Sequence, residues 1–491
     1  MTRRLNPRFP ALLKKGFYPN QQLLTIWSIK RLAKVSATDE LVSYIEALRY
    51  EDLPLQAVEA VKTHILDTSS AIIAGSTAEG PKNLVKLVKE WGGRAEGTIF
   101  VYGDKVPLPN AAWVNSSMSR GFDFESLVGG GATHVPGSIV PAALAISEYS
   151  QTSKNKVING KDLIVAIALG IDLNWRLRVA GIGKSTVMGG GWLAETFSPP
   201  AIAALGGKLL GFNREKIANA MGIGYNQCCG HYGATVGEGG GLMAQVSQGL
   251  GTKAGVLSVL LADRGFTAFK EVIDGRWGLY QMYANGKYDP DILTGGLGKQ
   301  FEQLNPNIKR YPGCGATQAP VHATLELAQE HNIRAEDVAK VRVRVAEVYY
   351  RLVGENKDKP PTSADALWNN RYSTAVALVK GKVFVDDFSE EAIRNPRVLE
   401  LLSRVEIELD KSLTPTGGSE VEIKTRDGKS YQKKGQIMPP PMSRAEIVEK
   451  FKGCNRLSAK PLPEKTAESF IQMVNKLEDM QNVTKITSIW K

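Results

Sequence analysis

Cysteine is scarce in this chain: Cys228, Cys229, Cys314 and Cys454 are the only four among 491 residues. None forms a CxxC pair, and two adjacent thiols are badly placed to chelate one metal ion. An iron–sulfur cluster needs three or four thiolates around it, so the sequence argues against cluster chemistry. Thiols used this sparingly are read as reduced, which fits a cytosolic or matrix compartment. Long apolar runs are missing too. Nothing approaches the ~18 residues that span a bilayer, and the stretches 139–146 and 256–261 read as buried helix faces. No membrane partner is expected.

Acidic residues are absent from the first 38 positions, which carry Arg3, Arg4, Arg8, Lys14, Lys15, Lys30, Arg31 and Lys34. Removing those eight lowers the net charge from +11 to +3. The basic excess therefore belongs to an N-terminal extension, residues 1–35, and no nucleic-acid partner is expected of the folded body. Acid-free, Arg-containing and partly amphipathic, the extension shares the composition of organellar transit peptides; a cytoplasmic location is expected, with the mitochondrial matrix the alternative if residues 1–35 are a transit peptide.

At 43% hydrophobic and 23% charged residues the composition is that of an ordinary globular protein. A chain of this length exceeds one core, which predicts two domains. Helix-period patterns run through residues 111–121, 140–148, 163–179, 201–210 and 249–264, and another opens after Pro54 and closes at Gly75. Only residues 98–102 look strand-like there, so 36–285 reads as a helical domain. The period then changes. Val341, Val343 and Val345 alternate with Arg342 and Arg344, the solvated face of a strand, and Val405, Ile407, Val421 and Ile423 alternate likewise. With helices expected at 317–330 and 365–379, residues 286–442 read as a smaller α/β domain. Ser443-x-x-Glu446 is a capping box, and two further helices in 443–491 return to the helical domain, which is then discontinuous.

Histidine is the other scarce residue, with five in the chain. His64, His322 and His331 lie in helical patterns and read as structural. His134 and His231 lie in glycine-rich loops, where catalytic residues are over-represented. Around His134 the segment runs Asp123-Phe124-Glu125-Ser126, then Gly129-Gly130-Gly131, then Thr133-His134-Val135-Pro136, just before a helix expected near Ser138. A carboxylate and an imidazole with separated pKa values suit proton removal and leaving-group departure, and a helix N-terminus nearby favours an anionic substrate. Lys309-Arg310 before Pro312-Gly313-Cys314 is a second candidate, two cations able to clamp a carboxylate. The glycine run 237–241 lacks the GxxxxGK[ST] pattern and reads as an active-site loop rather than a phosphate cradle.

These segments together resemble the MmgE/PrpD family. Leu66-Asp67-Thr68 is similar to its LLDT opening, Phe122-Asp123-Phe124-Glu125 to its LDFDD element, and His134-Val135-Pro136-Gly137 with Pro141-Ala142-Ala143-Leu144-Ala145 to HPG…PAALA. Lys309-Arg310-Tyr311-Pro312 with Cys314 resembles KxYPxC, and Asp427-Gly428 and Lys450-Phe451 fit the closing segments. The family includes 2-methylcitrate dehydratase, cis-aconitate decarboxylase and iminodisuccinate epimerase. The resemblance implies a mainly α fold with an α+β lid, no cofactor, no metal, a homodimer, and lyase chemistry on a small di- or tricarboxylate. It implies catalytic roles for Asp123, His134 and Lys309, and substrate contacts from Arg310, Thr133, Trp192, His231 and Cys314. Leu127 stands where the decarboxylase places a threonine, and the segment 243–247 replaces an element carrying a lysine. A hydro-lyase is the reading of choice, decarboxylation or epimerisation the alternatives within the family, and a non-catalytic carboxylate-binding homologue the alternative outside it.

Overall fold

The computed structural model describes residues 35–129, 133–182, 194–228, 230, 241–301, 304–355, 359–414, 417–436 and 438–490. Most of the N-terminal extension, Trp192, Cys229, His231 and most of the glycine run at 237–241 lie outside them.

Among the described residues the first part is built mainly from α1 (Ala37–Ala47), α2 (Leu55–Gly75), α3 (Glu79–Trp91), α4 (Leu108–Arg120), α5 (Pro136–Lys154), α6 (Gly160–Ile182), α7 (Ser198–Leu210), α8 (Arg214–Tyr225) and α9 (Met243–Asp263). Helix α2 is central. It opens after Pro54 with Leu55, Gln56 and Glu59 exposed and is buried on every side from His64 onward, with Val58, Val61, Ile65, Leu66, Ile72 and Ile73 in the core. At its end a Cβ on Gly75 would lie 1.7 Å from the Met118 carbonyl oxygen of α4, so only glycine permits this crossing.

Helix α5 contains Pro141, which cannot donate to the carbonyl of Gly137. Ser116 and Ser119 of α4 donate their hydroxyls to that oxygen instead, at 2.8 and 3.2 Å. A buried acceptor is thereby satisfied, and the start of α5, just beyond His134, is fixed to α4.

The smaller α/β part contains one four-stranded sheet. Its strands are β5 (Val338–Val345), β6 (Val405–Leu409), β7 (Ser419–Thr425) and β8 (Ser430–Gly435), in the order β6-β5-β7-β8. β5 and β6 are parallel and the other pairs antiparallel. Val341, Val343 and Val345 face the core. Arg342 and Arg344 face outward, opposite Glu422 and Glu420 in the ladder, with ion pairs of 3.5 and 2.6 Å. Helices α10 (Gly315–Glu330), α11 (Asn370–Lys380) and α12 (Pro396–Leu402) accompany the sheet.

The chain then returns. Ser443 and Glu446 form the capping box of α13 (Arg444–Arg456), which packs along α2, followed by α14 (Glu464–Asn475).

Three local expectations need correction. Of the strand expected at 98–102 only Thr98 is in a ladder, in β1 (Gly97–Thr98) against β2 (Lys105–Val106); Val101, at φ 69°, turns the chain between them. The helix expected at 365–379 is broken, because the Asn369 side chain accepts from the Tyr372 N–H and caps a new helix, α11. Two further strands, β3 (Leu127–Val128) and β4 (Pro306–Asn307), pair antiparallel and carry no period-two signal of their own. That short ladder matters for the site, since it ties the segment after Asp123 to the segment before Lys309. Among the described residues no helix is long and apolar enough to cross a membrane.

Candidate active site

Helix α4 ends at Arg120, and two residues of turn bring the chain to Asp123, which adopts the left-handed conformation at φ 49°. Aspartate tolerates that region better than most residues, at a cost the surroundings must offset. Phe124 then points into the core, Glu125 is fully buried, and the Ser126 N–H donates to Asp67 of α2 at 2.8 Å. Beyond β3, the Thr133 hydroxyl donates to the Val128 carbonyl, and His134 stands at the threshold of α5.

From the other side β4 delivers Lys309. Its ammonium donates to the Asp123 carbonyl oxygen at 2.7 Å and forms a close ion pair with Asp123 Oδ1. Farther on, Gly313, at φ 105°, donates its N–H to the Phe122 carbonyl at 3.0 Å. A Cβ there would lie 2.8 Å from the Leu367 carbonyl oxygen, so glycine is required.

The result is a buried cluster of alternating charge. Arg120 Nη1 lies 3.1 Å from Asp123 Oδ1 and 3.2 Å from Glu125 Oε1. His134 Nδ1 lies 2.9 Å from Glu125 Oε1 and 3.7 Å from Asp123 Oδ1. Burial works to raise the Asp123 carboxyl, but the Arg120 and Lys309 charges outweigh it and hold the group well below the usual carboxylate range. Glu125 is lowered as well, its burial outweighed by His134 and Arg120. Burial, reinforced by the Arg120 and Lys309 cations, pushes the His134 imidazole below its ordinary value. Both acids are therefore ionised at neutral pH and the imidazole is neutral. Its Nδ1–H donates to Glu125, which leaves the lone pair on Nε2. Asp123 Oδ2 and Glu125 Oε2 have no hydrogen-bond partner among the described residues. Buried oxygens without partners are uncommon, and these two are the acceptors that the cluster leaves open. His134 is the most accessible of the group, at 8%.

Asp123, Glu125 and His134 can each offer one ligand atom within 4.8 Å of the others. Arg120 and Lys309 already sit on Asp123 Oδ1 and Glu125 Oε1, and two fixed cations in a buried site oppose a divalent ion there.

The remaining expected contacts are spread more widely. Arg310 turns outward, with Nη1 2.8 Å from Glu446 Oε1 and Nε 3.3 Å from the Pro440 carbonyl. Cys314 is buried at the start of α10, and burial pushes its thiol up to about 12, which keeps it protonated. Trp192 and His231 lie outside the described residues. His64, read as structural, is fully buried between Ser126 Oγ at 3.0 Å and the Leu304 carbonyl at 2.7 Å.

Two participants gave no signal of this role in the sequence. Arg120 has the form of a last-turn basic residue, and only its spacing three before Asp123 and five before Glu125 hints at more. Lys450 of α13 is nearly inaccessible, and its Nζ donates to Asp67 Oδ1, the Phe124 carbonyl and the Lys309 carbonyl at 2.7, 2.8 and 2.9 Å. It lies over the Phe124 ring at 3.7 Å. One ammonium thus fixes the backbones that carry Asp123 and Lys309.

Residues 39–291 match the MmgE/PrpD N-terminal domain, and residues 311–479 match the MmgE/PrpD C-terminal domain. Cis-aconitate decarboxylase from Homo sapiens is 26% identical over 477 residues, covering 93% of this chain and 95% of the relative. The enzyme of that name from Aspergillus terreus is 25% identical over 441 residues, 86% of this chain and 89% of the relative. A 2-methylcitrate dehydratase, mitochondrial, from Yarrowia lipolytica is 22% identical over 408 residues, 76% of this chain and 74% of the relative.

Proposed function

Because the chain belongs to the MmgE/PrpD family and is a lyase of that family, we propose that it takes an α-proton from a small di- or tricarboxylate, with loss of water as the main outcome. The polarised imidazole of His134 carries this reading. With Nδ1–H committed to Glu125, Nε2 is free to act as general base.

A proton next to a carboxylate is weakly acidic, so the developing enediolate needs a cation against it. Lys309 spends two of its three N–H donors on Asp123 and keeps one for a substrate carboxylate. The C–H electron pair moves into the carboxylate while the proton goes to His134 Nε2. The imidazolium so formed faces Glu125 and Asp123, which stabilise it. Return of the electron pair forms the C=C bond and expels the β-hydroxyl, which takes the proton from His134 and leaves as water. Asp123, held ionised, fixes Lys309 and steadies the imidazolium. Two resident cations on the carboxylates support a mechanism without a metal.

Decarboxylation is the second reading, favoured by the names of the human and Aspergillus terreus relatives. There a C–C bond breaks, CO2 leaves, and a protonated His134 returns a proton to the substrate carbon. A homodimer is part of the proposal, supported by exposed Phe266, Phe269, Trp277 and Met282 in one stretch of chain. We place the protein in the cytoplasm; the mitochondrial relative from Yarrowia lipolytica supports the matrix as the alternative.

The test is incubation with 2-methylcitrate, citrate, cis-aconitate and iminodisuccinate, with products identified by proton NMR. Loss of water or CO2 from one of them, abolished by Asp123→Asn, is expected. Carboxylate binding without turnover across the panel would replace this reading with that of a non-catalytic homologue.

A further inference from the structure

A second cavity, of about 430 Å3, lies where the C-terminal ends of α1, α5 and α7 approach the start of α6. None of its lining residues belongs to the Asp123 cluster. Four cations line it: Arg49, Lys156, Lys161 and Lys208. Of the three acids there, Glu51 is paired with Lys161 at 3.8 Å, and Glu46 with Arg214 at 3.9 Å. Asp162 is exposed in the first turn of α6, where it complements the helix dipole.

Arg49, Lys156 and Lys208 have no carboxylate within ion-pair distance among the described residues, and each donates only to main-chain carbonyls. Lys208 Nζ donates to Glu46 at 2.8 Å, Lys156 Nζ to Leu209 at 2.8 Å, and Arg49 Nη1 to Ala47 and Leu48 at 2.8 and 3.1 Å. Arg49 Nη1 also reaches the Glu46 oxygen that Lys208 uses, so two cations share one acceptor. Capping of helix C-termini explains one N–H of each lysine and one nitrogen of the guanidinium. Among the described residues it leaves two N–H groups on each lysine, and Nε and Nη2 of the arginine, without a protein partner, and those of the exposed Arg49 and Lys156 face solvent. Lys208 is half-buried, and burial together with the Arg49 charge pushes its amine down to about 8, against the weaker pull of Asp162, Glu46 and Asp52. Tyr50, Val165 and Phe212 supply the apolar wall, with Lys161 Nζ over the Tyr50 ring at 4.8 Å and Lys216 Nζ over the Phe212 ring at 4.1 Å.

We propose that this cavity is a second binding site, for an organic polyanion that sets phosphate groups on Arg49, Lys156 and Lys208 and an apolar body on Tyr50 and Phe212. Clustered cations recognise multivalent oxyanions, and the guanidinium does so in bidentate fashion. The volume suits a ligand the size of a nucleotide.

Isothermal titration at low ionic strength, with ADP and with pyrophosphate, tests the proposal. Saturable binding of ADP, one per chain, is expected, with pyrophosphate weaker because it misses the apolar wall. Lys156→Glu and Arg49→Met should each weaken ADP at least tenfold, while Lys309→Met, in the other site, leaves it unchanged. The wild-type chain gives an independent readout. Under limiting acetic anhydride, Lys208 should be acetylated ahead of the exposed lysines, and saturating ADP should slow that labelling at least tenfold, measured by mass spectrometry. Absence of ADP binding, or binding that survives both substitutions and leaves Lys208 unprotected, would overturn the site. Neither outcome bears on the lyase assignment.

Discussion

His134 Nδ1 lies 2.9 Å from Glu125 Oε1, and this contact selects the tautomer that exposes Nε2. Glu125 also favours the charged imidazole, whereas burial, Arg120 and Lys309 oppose it. Glu125→Gln removes a favourable charge, so the His134 pKa should fall further. A general base works when deprotonated, and the acid limb of the kcat/KM profile should therefore move to lower pH. The turnover number should drop by roughly 10- to 100-fold, because a glutamine holds the ring without stabilising the imidazolium. A profile superimposable on the wild type would remove Glu125 from the mechanism.

Lys450 and Asp67 form a buried pair at 2.7 Å, joining α13 to α2. Lys450→Met leaves Asp67 charged and unpaired, which should cost about 3–5 kcal/mol in urea unfolding. The double variant Lys450→Met/Asp67→Asn should recover part of that loss, and the amount by which its cost falls short of the sum of the two single changes is the coupling energy of the pair. Strict additivity of the two single changes would show that the pair is not coupled.

His64 gives the chain a pH-sensitive stability of known sign. Burial lowers its pKa from 6.5 to about 4, so between those values the unfolded chain binds a proton that the folded chain does not. Stability is therefore lost as pH falls through 6.5 and goes on falling to about 4, by at most about 3 kcal/mol from this residue. Tm measured at pH 7 and pH 5 should differ less in His64→Asn than in the wild type; an equal drop would assign the acid sensitivity elsewhere.

Gly313→Ala places a Cβ at φ 105° and 2.8 Å from the Leu367 carbonyl. The substitution should destabilise the chain by more than about 1 kcal/mol and lower activity as well, since the Gly313 N–H holds the Phe122 carbonyl beside Asp123. An unchanged Tm would mean that the turn relaxes freely.

The sequence made some of this plain and hid the rest for physical reasons. Alternation at Val341, Val343 and Val345 announces β5 because one face is buried and the other wet. The Ser443–Glu446 box announces α13 because capping is a local interaction. Asp123, His134 and Lys309 stand out by residue type and loop context, and the structure brings the three together. Arg120 and Lys450 do not stand out, since an arginine or lysine on a helix ordinarily points to water. For Arg120 the difference is burial beside Asp123 and Glu125; for Lys450 it is packing across 326 residues of chain in the bond to Phe124, which no local pattern encodes. The ladder of β3 and β4 is invisible for a related reason: two residues are too few to show a period.

The central claim is that His134 moves the proton. The most direct test is the rate of product formation by His134→Ala on whichever carboxylate the wild type turns over, with and without added imidazole. A fall of at least ~100-fold at unchanged Tm, partly restored by imidazole, is expected. A rate within twofold of the wild type would contradict it.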